Sequence, residues 1–180
     1  MGFLTRPEIE GYQAYVIAAH EVAHQWWGHL VSPSFEPGAD VLVEAMANYA
    51  TVRLLDVEKG PEARDSFLEW MEERYMAERR VDRELPLSES ILGSSDAETV
   101  VYNKGALVLW QMHQYLGAAR MDAAMQAFIE QYAAHTGMRP GLDDFLAVVR
   151  GHAEDPVGFD AFVTEWIEST GWEPLYCADC

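Results

Sequence analysis

The hydrophobic and polar positions of this chain fall into blocks with helical periodicity, and proline and glycine separate the blocks. No block shows the strict alternation of a half-buried strand. The pattern predicts a mainly α fold. The expected helices cover about residues 12–28, 41–57, 61–80, 103–116, 120–135, 142–151 and 157–169.

The first expected helix is apolar nearly all round, which predicts that it is buried in the core on every side. The loop at 32–39 contains two prolines and a glycine and cannot continue this helix. Asp40 is a reasonable N-cap for the second helix. Residues 81–99 are rich in turn-formers and acids, so we expect a long irregular connection, of the kind that often carries function.

We expect residues 1–180 to form a single domain with three parts. A candidate metal-binding pair of helices lies at about 12–57, a linking helix and acidic loop at about 61–99, and C-terminal helices at about 103–170. A chain of 180 residues buries roughly 70% of its unfolded surface, so its core needs neither a disulfide nor a structural metal. Any metal is therefore expected to serve function.

The charge balance limits the classes of partner. The chain has 30 acidic and 12 basic residues and a formal net charge of −18, which repels phosphate backbones and excludes nucleic acid as a main partner. The acidic surplus is heaviest at 56–98, where a solvated face is favoured over selection of cationic substrates. The N-terminal residues lack a signal-peptide pattern, and the longest uncharged stretches, 22–35 and 105–119, are too short to span a membrane. We expect the chain to be soluble as it stands.

The strongest chemical signal is the segment His20-Glu21-Val22-Ala23-His24, an H-E-x-x-H pattern inside an expected helix. Four residues at about 100° each place the two imidazoles about 40° apart on the helix, one turn from each other, so both can bind one ion. Glu21 lies on the adjacent strip, where a general base can reach a metal-bound water. A chance pattern with two satisfied buried histidines is the alternative, but little else compensates for their desolvation.

A catalytic zinc site of this kind takes a third protein ligand and keeps one open position. Glu44 is the candidate, because it begins the second expected helix and its neighbours are apolar. Asn48 lies one turn further along the same face. Asn48 either holds a ligand imidazole by the ring nitrogen that does not bind the metal or is an amide on the helix surface, and both interpretations stay open.

Three segments together resemble the gluzincin zinc aminopeptidases of the aminopeptidase N type. They are His20 to Gly28, the helical Glu44, and Val101-Tyr102-Asn103-Lys104-Gly105-Ala106. Residues 142–146 and 159–171 are similar to the end of that family's catalytic domain. The resemblance implies the helical part of a thermolysin-like zincin catalytic domain, followed by a small helical bundle.

The resemblance also implies a function, namely zinc-dependent hydrolysis of peptide substrates. It makes His20, His24 and Glu44 the Zn²⁺ ligands, Glu21 the general base that activates a water, and Tyr102 the donor that stabilises the oxyanion. Tyr102 has another interpretation, as an aromatic residue that anchors the following helix.

Two departures from the family pattern matter. Nineteen residues separate His24 from Glu44 where most members have eighteen, and Glu-Ala-Met-Ala-Asn-Tyr at 44–49 replaces the usual Glu-Gly-Phe. Both features resemble those of a bacterial branch of the family whose peptidase domains are joined to ABC-type membrane permeases. This resemblance implies a permease as a partner. The family's G-x-M-E-N motif, which grips the substrate amine, is absent from these 180 residues, so we expect the isolated chain to be weakly active or inactive.

Several other residues are assigned structural roles. His29 lies beyond the end of the metal helix, and His113, His135 and His152 are isolated, so none is expected to bind metal. Trp26 and Trp27 are expected in the core or in a pocket wall. Cys177 and Cys180 lie too close together to staple the fold, and an ordinary tail is favoured over half a metal knuckle or a small disulfide.

Three classes of function follow from these observations. The first is a zinc peptidase. The second is a peptide-binding or regulatory module of a membrane transporter that retains the metal but is weakly active or inactive. The third is an acidic helical interaction domain without metal. The presence of both Glu21 and Tyr102 favours the peptidase, because a binding module needs neither.

Overall fold

The computed structural model describes residues 6–93, 97–133 and 136–173, with side chains from Tyr12 onward. Within these residues the protein is mainly helical, as predicted, and extended pairing is limited to isolated bridges such as Trp27–Val31. The helices are α1 (Arg6–Ala23), α2 (Glu44–Lys59), α3 (Pro61–Glu78), α4 (Ala97–Thr99), α5 (Gly105–Leu116), α6 (Ala118–Tyr132), α7 (Leu142–His152) and α8 (Pro156–Trp166). Short 3₁₀ turns occur at Ala39–Leu42 and Leu87–Glu89, and a π-helix occupies Val100–Lys104.

Helix α2 lies at the centre of the fold. It packs against α1, α3 and α5, and its inward residues Ala45, Met46, Val52 and Leu55 are fully buried. Helices α6, α7 and α8 continue from α5 as a helical bundle, with α6 packed on both α5 and α7. The buried apolar residues of both parts form one continuous core.

Local sequence accounts for several of the helix ends. Gly60 has a φ of +89° between α2 and α3, a conformation that favours glycine, and Pro61 then supplies the preset φ of a first helical residue. Helix α8 begins in the same manner with Pro156, and Asp155 caps it by accepting hydrogen bonds from the amides of Val157 and Gly158 at 3.2 and 3.0 Å.

The segment that leads into α5 differs from the sequence prediction. A helix was expected to begin at about residue 103, but α4, the π-helix and α5 run on from Ala97. The start of α5 lies against α2 so closely that a Cβ on Gly105 would be 2.7 Å from the Cβ of Ala45. A side chain at position 105 would therefore push these two elements apart.

The prediction that the first helix is buried on every side is wrong. Helix α1 ends at Ala23 rather than near Gly28, and Ile17 and Val22 are 61% and 57% exposed. Trp26, just beyond the helix, is also exposed, whereas Trp27 is buried. The physical reason is that α1 packs against α2 along one side, and among the described residues no element covers the opposite side.

The prediction that Asp40 caps the second helix is also wrong. Asp40 lies inside the 3₁₀ turn, and Val43 directly precedes α2. The Asp40 carboxylate accepts a hydrogen bond from the amide of Leu92 at 2.7 Å, so it holds the connection after α3 instead of a helix end.

The remaining differences are small. The connection expected to be irregular contains the turn at Leu87–Glu89, and α8 ends at Trp166 rather than near residue 169. In the described ranges, none of the helices combines the length and the apolar character that a bilayer crossing requires. His135, Cys177 and Cys180 lie outside the described residues.

Candidate metal centre

Three side chains from α1 and α2 converge at one point. His20 and His24 lie one turn apart on α1, and Glu44 is the first residue of α2. The Nε2 atom of His20 is 3.1 Å from Nε2 of His24 and 3.2 Å from Oε2 of Glu44, and His24 Nε2 is 3.5 Å from the same oxygen. In the part of the chain that the structure describes, this is the one group of at least three such side chains close enough to hold a metal ion.

The second nitrogen of each ring is bound by an oxygen acceptor. His20 Nδ1 lies 2.8 Å from Oδ1 of Asn48, and His24 Nδ1 lies 3.0 Å from the backbone carbonyl of Trp27. Because these oxygens only accept, each Nδ1 carries the proton in the neutral ring, and each Nε2 presents a lone pair. Both imidazoles are therefore oriented as metal ligands.

Asn48 joins the histidine to the π-helix. Its amide nitrogen donates to the backbone carbonyl of Tyr102 at 2.8 Å, so its oxygen must face His20. The side chain is largely buried, with 8% exposed. Of the two readings left open by the sequence, the contacts match the one in which Asn48 holds a ring nitrogen, and they exclude a helix-surface amide.

A turn at the end of α1 fixes the second histidine. Gly28 has a φ of +106°, and a Cβ there would lie 3.2 Å from Cγ1 of Val43. Glycine at this position lets the backbone turn back directly after the helix. The Trp27 carbonyl thereby reaches the His24 ring, which explains locally why glycine follows the two tryptophans.

The donor set fits a zinc ion. Two imidazole lone pairs and a carboxylate oxygen repel one another at 3.1–3.5 Å unless a cation or a proton lies between them. Zinc–ligand distances of about 2.0–2.1 Å place tetrahedral ligand atoms about 3.3–3.4 Å apart, which matches the observed separations. Two histidines, one carboxylate and an open fourth side are the ligand set of catalytic zinc sites.

The electrostatics of Glu44 agree with a ligand role. Burial by itself would raise the pKa of Glu44, but the neighbouring His20, Tyr102 and His24 side chains outweigh burial and hold it below its usual value. Glu44 therefore stays ionised at neutral pH. Burial would lower the pKa of His20, and its contacts with Glu44 and Asn48 raise it instead.

Tyr102 faces this cluster from the π-helix. Its ring stacks on the His20 ring with 6.0 Å between centroids. Burial, followed by the contact with Glu44, raises the pKa of Tyr102 well above its usual value. The phenol therefore remains protonated and able to donate across the physiological pH range.

Glu21 and a pocket complete the surroundings. Glu21 is exposed and, together with His20 and Tyr102, lines a pocket of about 370 Å³. Phe67 and Trp70 of α3 supply an aromatic wall to this pocket. The carboxylate of Glu21 therefore opens onto the same space as the ring of Tyr102.

The other histidines lie away from the cluster. Exposed His29 contacts the backbone carbonyl of His24 through Nδ1 at 2.6 Å, and His152 contacts the carbonyl of Val148 at 2.9 Å. His113 is buried and lies 2.9 Å from the hydroxyl of Tyr49. None of these three belongs to the group formed by His20, His24 and Glu44.

Sequence reasoning missed one buried ionic group near the site. The side chain of Glu84 is fully buried and is bound by Lys104, Tyr75 and Arg79. The sequence held one weak signal for it, because Lys104 is one of only two lysines in the chain and lies in a strongly apolar segment.

Comparison with solved structures identifies the class of this fold. An M1 zinc metallopeptidase from Deinococcus radiodurans superimposes with a TM-score of 0.67 at 20% identity, over 92% of this chain and 35% of that chain. A variant of an M1 zinc metallopeptidase from the same organism, solved with a Tyr-Ser-Ala substrate, gives a TM-score of 0.66 over 89% of this chain and 34% of that one, also at 20% identity. The fold is that of the helical part of a zinc metallopeptidase.

Sequence comparison then gives the family. The pattern that defines the peptidase family M1 domain matches residues 7–166, and the chain belongs to that family. Aminopeptidase M1-B from Oryza sativa subsp. japonica is 27% identical over 170 residues, and aminopeptidase N from Haemonchus contortus is 25% identical over 173 residues. Each alignment covers 91% of this chain and 18% of the relative. The chain thus spans about 18% of the length of these relatives.

Proposed function

We propose that this chain carries the metal centre of a zinc-dependent peptidase that hydrolyses peptide bonds in the manner of an aminopeptidase. The observation that carries the proposal is the convergence of two imidazole lone pairs and one carboxylate beside an exposed glutamate and a protonated phenol. Membership of family M1 and the aminopeptidase names of the relatives support the same assignment.

The ligands in this proposal are His20, His24 and Glu44. Bound there, zinc would supply Lewis-acid polarisation of the substrate carbonyl and would lower the pKa of a coordinated water. The chain's own contribution is to keep both rings in the correct tautomer, through Asn48 and the Trp27 carbonyl.

Glu21 and Tyr102 carry the proton transfer and the charge stabilisation. Glu21, exposed in the pocket, takes the proton of the attacking water and later returns it to the leaving amine. Tyr102 donates its hydroxyl hydrogen to the oxygen of the substrate carbonyl as negative charge develops there.

The chemical class of the substrate is a peptide. The pocket beside Glu21 is large enough for one amino-acid side chain, and its aromatic wall favours an apolar one. The Tyr-Ser-Ala substrate of the Deinococcus radiodurans variant supports this class. A net charge of −18 continues to disfavour nucleic acid as a partner.

The spacing between His24 and Glu44 and the sequence at 44–49 support a finer proposal. In it, the whole protein that contains this chain belongs to the bacterial branch associated with ABC-type permeases. The isolated chain, which lacks the G-x-M-E-N motif, is then weakly active or inactive by itself.

The test uses the whole protein with zinc content and turnover of aminoacyl-anilides measured together. Glu21→Gln is expected to retain one zinc per chain and to lose at least about a thousandfold in kcat, because the ligands are intact and the base is gone. A matched control is Glu58→Gln, an equivalent change at an exposed position of α2. A wild-type protein that binds zinc but hydrolyses no peptide would instead support the transporter-module reading, and a protein without zinc would exclude both.

A further inference from the structure

Lys104 is completely buried, which is unusual for a lysine. Its ammonium group donates to Oε1 of Glu84 at 2.9 Å and to the backbone carbonyl of Ser169 at 3.3 Å. Lys104 is also the last residue of the π-helix, two positions after Tyr102. A buried charge is therefore attached to the element that presents the phenol.

The carboxylate of Glu84 gathers further donors. Tyr75 donates to the same oxygen as Lys104 at 2.7 Å, and Arg79 donates to the other oxygen at 3.0 Å. We refer to Tyr75, Arg79, Glu84 and Lys104 as the Glu84 cluster. The cluster joins the end of α3, the connection that follows it, and the π-helix at one point.

The stability of the fold does not by itself explain such a cluster. Desolvation of buried ions offsets much of their attraction, and apolar residues of the same volume often stabilise a core as well or better. A buried ion pair with fixed hydrogen bonds does, however, specify one geometry. The cluster is therefore expected to fix the geometry of an element that it contacts.

The π-helix is the element whose geometry the cluster can fix. In it, the amide of Gly105 bonds to the carbonyl of Val100, five residues back, which is a wider turn than that of an α-helix. If this segment relaxed to α-helix, the register would shift by one residue, and Tyr102 would rotate by about 100° relative to α5. That rotation would turn the phenol away from Glu44 and His20.

Two anchors oppose the rotation. The amide of Asn48 holds the Tyr102 carbonyl at 2.8 Å on the side of α2. On the other side, the Glu84 cluster holds the end of the π-helix through Lys104. The absent side chain of Gly105 allows the segment to approach α2 closely enough for the first anchor to form.

We infer that Lys104, held by Glu84, is a positioning residue that fixes the π-helix so that the Tyr102 hydroxyl faces the metal centre. This inference rests on the proposed peptidase function for its effect on catalysis, but the structural part stands without it. Lys104 touches neither substrate nor metal and acts only through Tyr102.

The test compares a variant and a control in the whole protein. Lys104→Met combined with Glu84→Gln removes both charges. The glutamine oxygen can still accept from Arg79, and its amide nitrogen can donate to the hydroxyl of Tyr75, so the fold is expected to survive. Tyr49→Phe is the control, because it removes a different buried hydrogen bond, the 2.9 Å contact with His113, that does not involve the π-helix.

The first readout is amide hydrogen exchange at residues 100–105. The double variant is expected to exchange at least tenfold faster in this segment, with one zinc still bound per chain, while Tyr49→Phe leaves the segment unchanged. Unchanged exchange in the double variant would overturn the inference. This readout needs no catalysis, so it decides the inference even if the protein hydrolyses no peptide.

The second readout is kinetic coupling to Tyr102. The double variant is expected to lose at least tenfold in kcat with KM within about twofold, and to lose nothing further in a Tyr102→Phe background. If the double variant lowered kcat by the same factor in the Tyr102→Phe background as in the wild type, Lys104 would not act through the phenol. Absence of turnover in the wild type would contradict the proposed function instead.

Discussion

Asn48 allows a sharp test of the metal centre, because one amide makes two separable contacts. Its oxygen lies 2.8 Å from His20 Nδ1, and its nitrogen donates to the Tyr102 carbonyl at 2.8 Å. Replacement by leucine removes both contacts and keeps the same branching and number of side-chain heavy atoms. Replacement by aspartate keeps an acceptor for His20 and puts a carboxylate oxygen in place of the donor to Tyr102.

The expected changes in zinc affinity and in the free energy of unfolding follow from the groups that each substitution leaves without a partner. Asn48→Leu frees the His20 ring to adopt other tautomers and orientations, and loss of such a partner typically costs about 10–100-fold in metal affinity. It also leaves the Tyr102 carbonyl without its donor, which costs about 1–3 kcal/mol of unfolding free energy. Asn48→Asp is expected to cost a similar free energy of unfolding but to keep zinc affinity within about threefold of wild type.

Zinc affinity is measured by competition with a chromophoric chelator at neutral pH, and stability by urea unfolding of the zinc-free protein. The matched control is Asn103→Leu, since Asn103 is also buried but donates to the hydroxyl of Thr99 at 3.1 Å. The control is expected to lose stability and to bind zinc normally. If Asn48→Leu bound zinc as tightly as the wild type, the assigned role of the amide in fixing His20 would be refuted.

Two further predictions concern the packing and the pH dependence of stability. Gly105→Ala adds a Cβ at 2.7 Å from that of Ala45 and should lower the free energy of unfolding by about 1–3 kcal/mol. In urea titrations, adding Ala45→Gly should recover part of that loss, and strictly additive losses would contradict the contact. Burial and the charge of Arg53 lower the pKa of His113 from 6.5, so the unfolded state binds the extra proton first. Stability should therefore be complete above about pH 6.5 and decline below it, and His113→Gln should flatten this decline; an equally steep decline in the variant would assign the effect to other groups.

The sequence was most informative where the relevant spacing is local. The pairing of His20 with His24 follows from the helical repeat alone, and Glu44 was found because it begins a helix directly after a proline-glycine loop. These residues do converge in the structure. The bounds of the helices from α2 onward were predicted to within about three residues, except for the short α4, whereas α1 was placed about five residues too far along the chain.

The sequence was least informative where partners are distant and have no periodicity. Lys104 and Glu84 are twenty residues apart along the chain and belong to different elements, so no pattern links them. The exposed face of α1 was missed because apolar residues such as Ile17 and Val22 give the same pattern whether or not another element covers them. The π-helix was missed because the partners that hold it, Asn48 of α2 and Glu84, are distant in the sequence.

The two glycines that flank the loop between α1 and α2 bear on where this chain could accept an insertion. Gly28 turns the chain at a φ of +106°, and Gly38, at +80°, donates its amide to the carbonyl of Ser90 at 2.9 Å. Both ends of the loop are thus fixed to the rest of the fold. Residues 35–37 are the exposed part of this loop, so a residue gained or lost there is expected to leave His24 and Glu44 in place.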